Sequence, residues 1–159
     1  MAKRFAVEER IFKKYQKIAS DTLKGEIRKK VISKLKDNIK ATVYSTPDPK
    51  YYTRSYSMMN SVSGYVTRDN DLQTIISIYP DPNNMTGFPD PKFKNYLSLA
   101  GMGSDDNRNM IVEWLNEGTS GSPIYNHSPH KFMDKTAEDA GIIARGKLNK
   151  ALYKASKRK

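Results

Sequence analysis

Between residues 7 and 43 apolar side chains recur at helical spacing, and this stretch constrains the fold more than any other. Ile11, Tyr15, Ile18 and Thr22 follow a 4-3-4 spacing. Leu23, Ile27, Val31, Leu35, Ile39 and Val43 then recur at every fourth residue. Such spacing draws one apolar stripe along a helix, with lysines on the opposite side. The pattern predicts helix over 7–43, either unbroken or jointed. Ser20-Asp21 offers a cap for a second helix, Lys24 stands where a capping box wants Glu or Gln, and Gly25 weakens the pattern locally. A basic amphipathic helix can lie on a membrane. This stripe is thin and lacks Trp, so packing against a sheet is the expected use.

The rest of the chain supplies that sheet. Pro47 and Pro49 end the helical pattern. Residues 54–62 read as a short turn or helix feeding a strand. Residues 62–68 and 72–79 alternate as strands around Asp69-Asn70-Asp71, which is turn chemistry, so 62–79 reads as a hairpin with Gly64 at a bulge. Prolines and glycines mark 80–109 as a long loop or arm, too apolar for a linker because it carries Phe88, Phe93, Tyr96, Leu97 and Leu99. Residues 110–117 form a strand or short helix, and 118–123 a turn. Ala137, Ala140, Ala144, Leu148, Ala151 and Ala155 give a narrow small-residue face to a C-terminal helix over 129–155, followed by a basic tail at 156–159. The order predicts an α+β fold: an antiparallel sheet built around the hairpin, packed by the long N-terminal helix and the C-terminal helix. One hydrophobic core suits 159 residues, so 1–159 reads as a single domain.

Charge narrows the function. The net charge is +11, and it is uneven: +8 over residues 1–44, −3 over 45–127 and +6 over 128–159. Two partners fit such an asymmetry. One is nucleic acid, through released counterions. The other is an acidic protein surface, including another copy's middle segment. Lysines outnumber arginines 20 to 8, whereas dedicated phosphate or base readers lean on Arg, so a solvated lysine face that only confers solubility is an equal reading of the charge. Ten tyrosines add a stacking option, with Tyr51, Tyr52, Tyr56 and Tyr65 interleaved with Arg54 and Arg68. Packing of those rings in a half-buried sheet is the simpler use.

Catalytic chemistry finds little support. The chain has no Cys, which removes disulfides, thiolate metal sites and a cysteine nucleophile. No apolar run has the length of a membrane span, and the basic N-terminus lacks the apolar stretch of a secretory signal. A protein of a reducing compartment is expected. Gly101-Met102-Gly103 lacks the third glycine of a dinucleotide fingerprint. His127, His130 and Asp134 have ligand-like spacing, but Ser128-Pro129 opposes a helix between the histidines. Ser120 and Ser122 have no nucleophile elbow, and Glu113/Glu117 have no cleft to converge in. No catalytic residue, metal or cofactor is expected.

Four features in order resemble one family. After the Lys-rich helix, residues 52–62 are similar to a Tyr-x-Arg-Thr/Ser-Gly-x-Leu-x-x-Ser-Ile box ahead of a hairpin, with Tyr56 where that box has Gly. Val112-Glu113-Trp114-Leu115-Asn116-Glu117-Gly118-Thr119 resembles a Glu-x-Gly-Thr box. Pro129-His130-Lys131-Phe132-Met133 resembles the x-Pro-x-x-Phe-Met/Leu lead-in to a C-terminal helix. This set looks like the tail-completion, or head–tail joining, proteins of tailed bacteriophages. The resemblance implies a structural virion protein assembled in the host cytoplasm. Copies would form a homo-oligomeric ring at the neck, touching portal or connector proteins and the tail terminator or tail tube, with genomic DNA contacted loosely in the lumen and no membrane. It implies structural or interface roles for Tyr52, Arg54 and Ser55 before the hairpin, Phe88, Phe93 and Tyr96 in the arm, Trp114 as an anchor, Glu117, Gly118 and Thr119 at the turn, and Phe132 and Met133 seating the last helix. A basic nucleic-acid-binding module is the alternative.

Overall fold

The computed structural model describes residues 2–45, 56–70, 73–85, 112, 113, 115–118 and 128–157. The fold is α+β, with a long N-terminal helical stretch, a two-stranded antiparallel hairpin and a C-terminal helix. Helix α1 spans Ala2–Thr22, a π-helical turn follows over Leu23–Ile27, and α2 spans Arg28–Thr42. Helix α3 is Ser57–Asn60, strand β1 is Val62–Asp69, strand β2 is Thr74–Pro80, and α4 is Phe132–Lys157. Among the described residues no helix is long and apolar enough to cross a membrane.

The joint in the N-terminal stretch is the π-turn. A π-turn adds one residue to a helix and so resets the phase of everything after it. The apolar stripe slips by one position between Thr22 and Leu23, and the extra residue is absorbed there, with the Arg28 backbone N–H reaching the Leu23 carbonyl. Ser20-Asp21 does not cap a second helix, as the sequence suggested. The helix runs straight through it, and the Ser20 hydroxyl donates instead to Asp69 Oδ1 at 3.2 Å. The stripe is also unevenly used: Ile11 is exposed, whereas Ile27, Val31, Leu35 and Ile39 are buried.

The described residues group into two compact units. The first contains 1–33, 64–78 and 137–159. Here Ile27 and Val31 are buried, and Gly64 of β1 marks a close approach by the helix. A Cβ at Gly64 would stand 3.1 Å from Ile32 Cδ1 and 3.2 Å from both Arg28 Cγ and Ile78 Cγ1, so a glycine is what lets these side chains cross the strand. Strand β2 starts two residues later than the sequence suggested. Asn70 closes the turn first, its N–H donating to the Gln73 carbonyl (3.0 Å) and its Oδ1 accepting from the Gln73 N–H (2.8 Å). On α4 the small-residue face is half-buried from Ala140 through Ala144, Leu148, Ala151 and Ala155, but Ala137 is exposed and does not belong to it.

The second unit contains 34–63 and 79–136. Leu35, Ile39, Met58, Val62, Met85 and Phe132 are buried there, with Leu35, Ile39 and Phe132 at 0% exposure. Its buried polar groups are satisfied, as burial requires. Ser61 Oγ donates to the Met58 carbonyl (2.8 Å), and the Asp81 carboxylate accepts from the Asn83 N–H (2.9 Å) and Asn84 Nδ2 (2.8 Å), capping a 3-10 turn over Pro82–Asn84. Residues 112, 113 and 115–117 are helical, which decides between the two readings of that segment. Helix α4 begins at Phe132 rather than 129, because Lys131 is left-handed (φ 50°) and blocks an earlier start. It continues two residues past 155. Most of the predicted arm, 86–109, lies outside the described residues, as do Arg158 and Lys159 of the basic tail.

Candidate functional site

In the second unit two separate stretches of chain are clasped together. The helical turn over 115–117 ends at Gly118, whose φ of 81° is a left-handed exit that glycine adopts without steric cost. A helix end leaves its last carbonyls without partners. Here the returning chain supplies them: the His130 N–H donates to the Leu115 carbonyl (3.1 Å) and the Lys131 N–H to the Asn116 carbonyl (3.0 Å). The service is reciprocal. Lys131 occupies the cap position of α4 and has no acceptor to offer, so Asn116 Oδ1 accepts the Met133 N–H instead, at 2.8 Å. Asn116 is buried, and its Nδ2 donates to Glu117 Oε1 at 2.6 Å. Lys131 Nζ pairs with Glu117 Oε2 and lies 3.7 Å from Asp134.

The clasp sets its own electrostatics. The hydrogen bond from Lys131, helped by the one from Asn116, holds the Glu117 carboxyl below its ordinary range. The same contact with Glu117 raises Lys131. Asp134 also stands in the first turn of α4, where a negative charge favours the helix dipole. Beneath lies a buried pair: Asn38 Nδ2 donates to Thr136 Oγ1 (2.9 Å), and Thr136 Oγ1 donates to the Phe132 carbonyl (2.7 Å).

Four of the residues singled out from the sequence thus meet: Glu117 and Gly118 on one side of the clasp, buried Phe132 and half-buried Met133 on the other. Tyr52, Arg54, Ser55, Phe88, Phe93, Tyr96, Trp114 and Thr119 lie outside the described residues. Sequence reasoning missed Asn116, Lys131, Asn38 and Thr136, which do the joining. Asn116 carried one faint signal, a lone amide directly after the apolar Trp114-Leu115 pair. In the same unit Tyr56 precedes α3 with φ 53° and ψ 15°, a left-handed conformation, its ring centroid 4.6 Å from that of Tyr44.

The first unit has its own polar centre at the π-turn. Lys24 Nζ donates to Asp69 Oδ2 at 2.7 Å. Thr74 Oγ1 lies 3.0 Å from Asp69 Oδ1 and 2.9 Å from Ser20 Oγ. The Lys24 hydrogen bond, then those of Thr74 and Ser20, holds Asp69 below its ordinary value. On the other side of Gly25, Glu26 takes Lys147 and is lowered by it, with Lys30 and Lys150 adding to the field. These carboxylates are held by lysines, an arrangement suited to fixing helices. Among the described residues no three His, Cys, Asp or Glu side chains gather to hold a metal, and His130 contributes its backbone to the clasp.

The YomN family model matches residues 8–158, nearly the whole chain, with both the clasp and the π-turn inside the match. The chain belongs to the YomN family. That family is phage-associated, and the chain is accordingly a phage-encoded protein. Neither a curated protein nor a solved structure matches this YomN-family chain.

Proposed function

We propose that this YomN-family protein is a structural virion protein of a tailed bacteriophage. Copies form a ring at the head–tail junction, join the connector to the tail, and surround the DNA channel. Subunits of such a ring meet heterologously, one surface docking on a different surface of the next copy, with a rotation that closes. The basic flanks and acidic middle of the sequence give each copy complementary sides. The role is structural rather than catalytic and requires no cofactor. Connector proteins lie on one side and the tail terminator or tail tube on the other, and the protein stays in the particle after assembly in the host cytoplasm.

The backbone at Tyr56 carries this reading. The neck-protein box that residues 52–62 resemble has Gly at that position. Tyr56 stands there in a left-handed conformation that glycine adopts freely and a bulky residue rarely does. Tyr56 thus adopts the backbone conformation that the glycine of that box would adopt freely. The clasp adds support, because it brings the second and third boxes of the resemblance into one hydrogen-bonded structure.

Native mass spectrometry of the purified chain, alone and with isolated connector, tests the reading. The expected result is a monomer or weak oligomer alone and a ring-sized complex with the connector. Failure to join either connector or tail overturns it.

A further inference from the structure

Helix α4 carries Lys147, Lys150, Lys154 and Lys157. Their 3-4-3 spacing sets all four along one side of the helix. At 1.5 Å per residue this ladder is about 15 Å long. Lys147, Lys150 and Lys154 line an open cleft of about 420 Å³ whose other wall is Asp21, Thr22 and Glu26. Both carboxylates of that wall already have lysine neighbours: Glu26 pairs with Lys147, and Asp21 lies 3.9 Å from Lys24. Lys150 and Lys154 are exposed, and neither forms an ion pair within 4.0 Å among the described residues. Lys157 Nζ sits 4.7 Å from the Tyr153 ring centroid, which holds it at the end of the ladder.

We propose that this ladder is a contact for the sugar–phosphate backbone of double-stranded nucleic acid, made without regard to base sequence. One strand of a duplex presents a phosphate about every 3.4 Å of axis, so a ladder of about 15 Å faces roughly four phosphates. Lys147 is taken by Glu26, so three lysines of the ladder, Lys150, Lys154 and Lys157, are available to those phosphates. Lysine is a compact point charge, suited to backbone contacts and poor at reading base edges. Five of the seven side chains that line the cleft are charged, a lining that suits a charged backbone. Of the two carboxylates on the facing wall, Glu26 is paired with Lys147, and Asp21 has Lys24 at 3.9 Å, a lysine that Asp69 holds more closely at 2.7 Å. The inference adds to the neck reading the face that meets the genome. It is tested on the unassembled chain, so either can fail without the other.

The test is fluorescence anisotropy of a labelled duplex of about 30 base pairs, titrated with full-length protein between about 25 and 200 mM salt. Lys150→Gln/Lys154→Gln is expected to reduce the magnitude of the log–log salt slope by about two and to weaken binding about tenfold or more at the lowest salt. Lys150→Arg/Lys154→Arg is expected to restore both. Lys29→Gln/Lys40→Gln, which removes two exposed lysines that are not members of the ladder, is expected to leave the slope within about half a unit. Glutamine is a good helix former, so the fold is retained and circular dichroism checks it. Absence of duplex binding at the lowest salt overturns the proposal. So does equal loss in the Lys150/Lys154 and Lys29/Lys40 pairs, or competition by poly-glutamate that equals competition by unlabelled duplex.

Discussion

Asn116 Oδ1 accepts the backbone N–H of Met133 at 2.8 Å, so helix α4 is capped by a residue 17 positions upstream of the bond it satisfies. A cap supplied from another segment joins two tasks that helices usually solve separately, ending one helix and starting the next.

Asn116→Ala removes that cap and leaves the Met133 N–H without its acceptor. The expected cost is about 1–2 kcal/mol in chemical denaturation. Asn116→Asp retains an acceptor for Met133 but sets a second carboxylate beside Glu117, so it is expected to fall between wild type and Asn116→Ala. A loss below about 0.5 kcal/mol for the alanine variant would show that α4 starts without help from Asn116.

Tyr56 gives a cleaner comparison, because two truncations differ only in backbone freedom. Both Tyr56→Ala and Tyr56→Gly lose the ring contact with Tyr44. Only glycine relieves the left-handed backbone. The glycine variant is expected to be more stable than the alanine variant by about 1 kcal/mol, the reverse of their order at an ordinary helical position. Thermal and urea unfolding both read this order.

Two glycines are expected to respond with opposite signs. At Gly25 a Cβ meets nothing within 4 Å, so Gly25→Ala is expected to stabilise by about 0.5–1 kcal/mol through the unfolded chain's lost freedom. At Gly64 the space is already taken by Ile32, Arg28 and Ile78, and Gly64→Val is expected to destabilise by about 1–3 kcal/mol. Denaturant midpoints for the two variants on either side of wild type would bear this out.

Stability is expected to hold a broad plateau against pH. Asp69, Glu26 and Glu117 are lowered by their lysine partners from ordinary values of 3.8, 4.5 and 4.5. Their contribution is fully present above those values and is lost as pH falls through the lowered ones. Lys24 and Lys131 are raised from 10.5, so theirs is fully present below 10.5 and is lost as pH rises through the raised values. Melting temperature against pH should be shallower on the acid side in Asp69→Asn/Glu117→Gln than in wild type. An unchanged acid limb would remove these carboxylates from the account.

Much of this architecture can be read from local pattern. The four-residue recurrence from Leu23 to Ile39 needs only helical geometry, and the hairpin needs only alternation around turn residues. Even the π-turn left a trace, the one-position slip at Thr22–Leu23. The clasp left almost none. Asn38 and Thr136 are polar residues in the interior that bond to each other across 98 positions of sequence, and no local rule connects them. Lys131 and Tyr56 hold left-handed backbones that their residue types do not announce. At Tyr56 the trace was indirect, a glycine expected from the resemblance and missing from the chain.

The most direct test of the neck role is to locate the protein in the particle. A tagged copy labelled with gold and viewed by negative-stain electron microscopy should mark the junction between head and tail, one cluster per virion. Label on the capsid wall, at the tail tip, or absent from intact infectious particles would contradict the account.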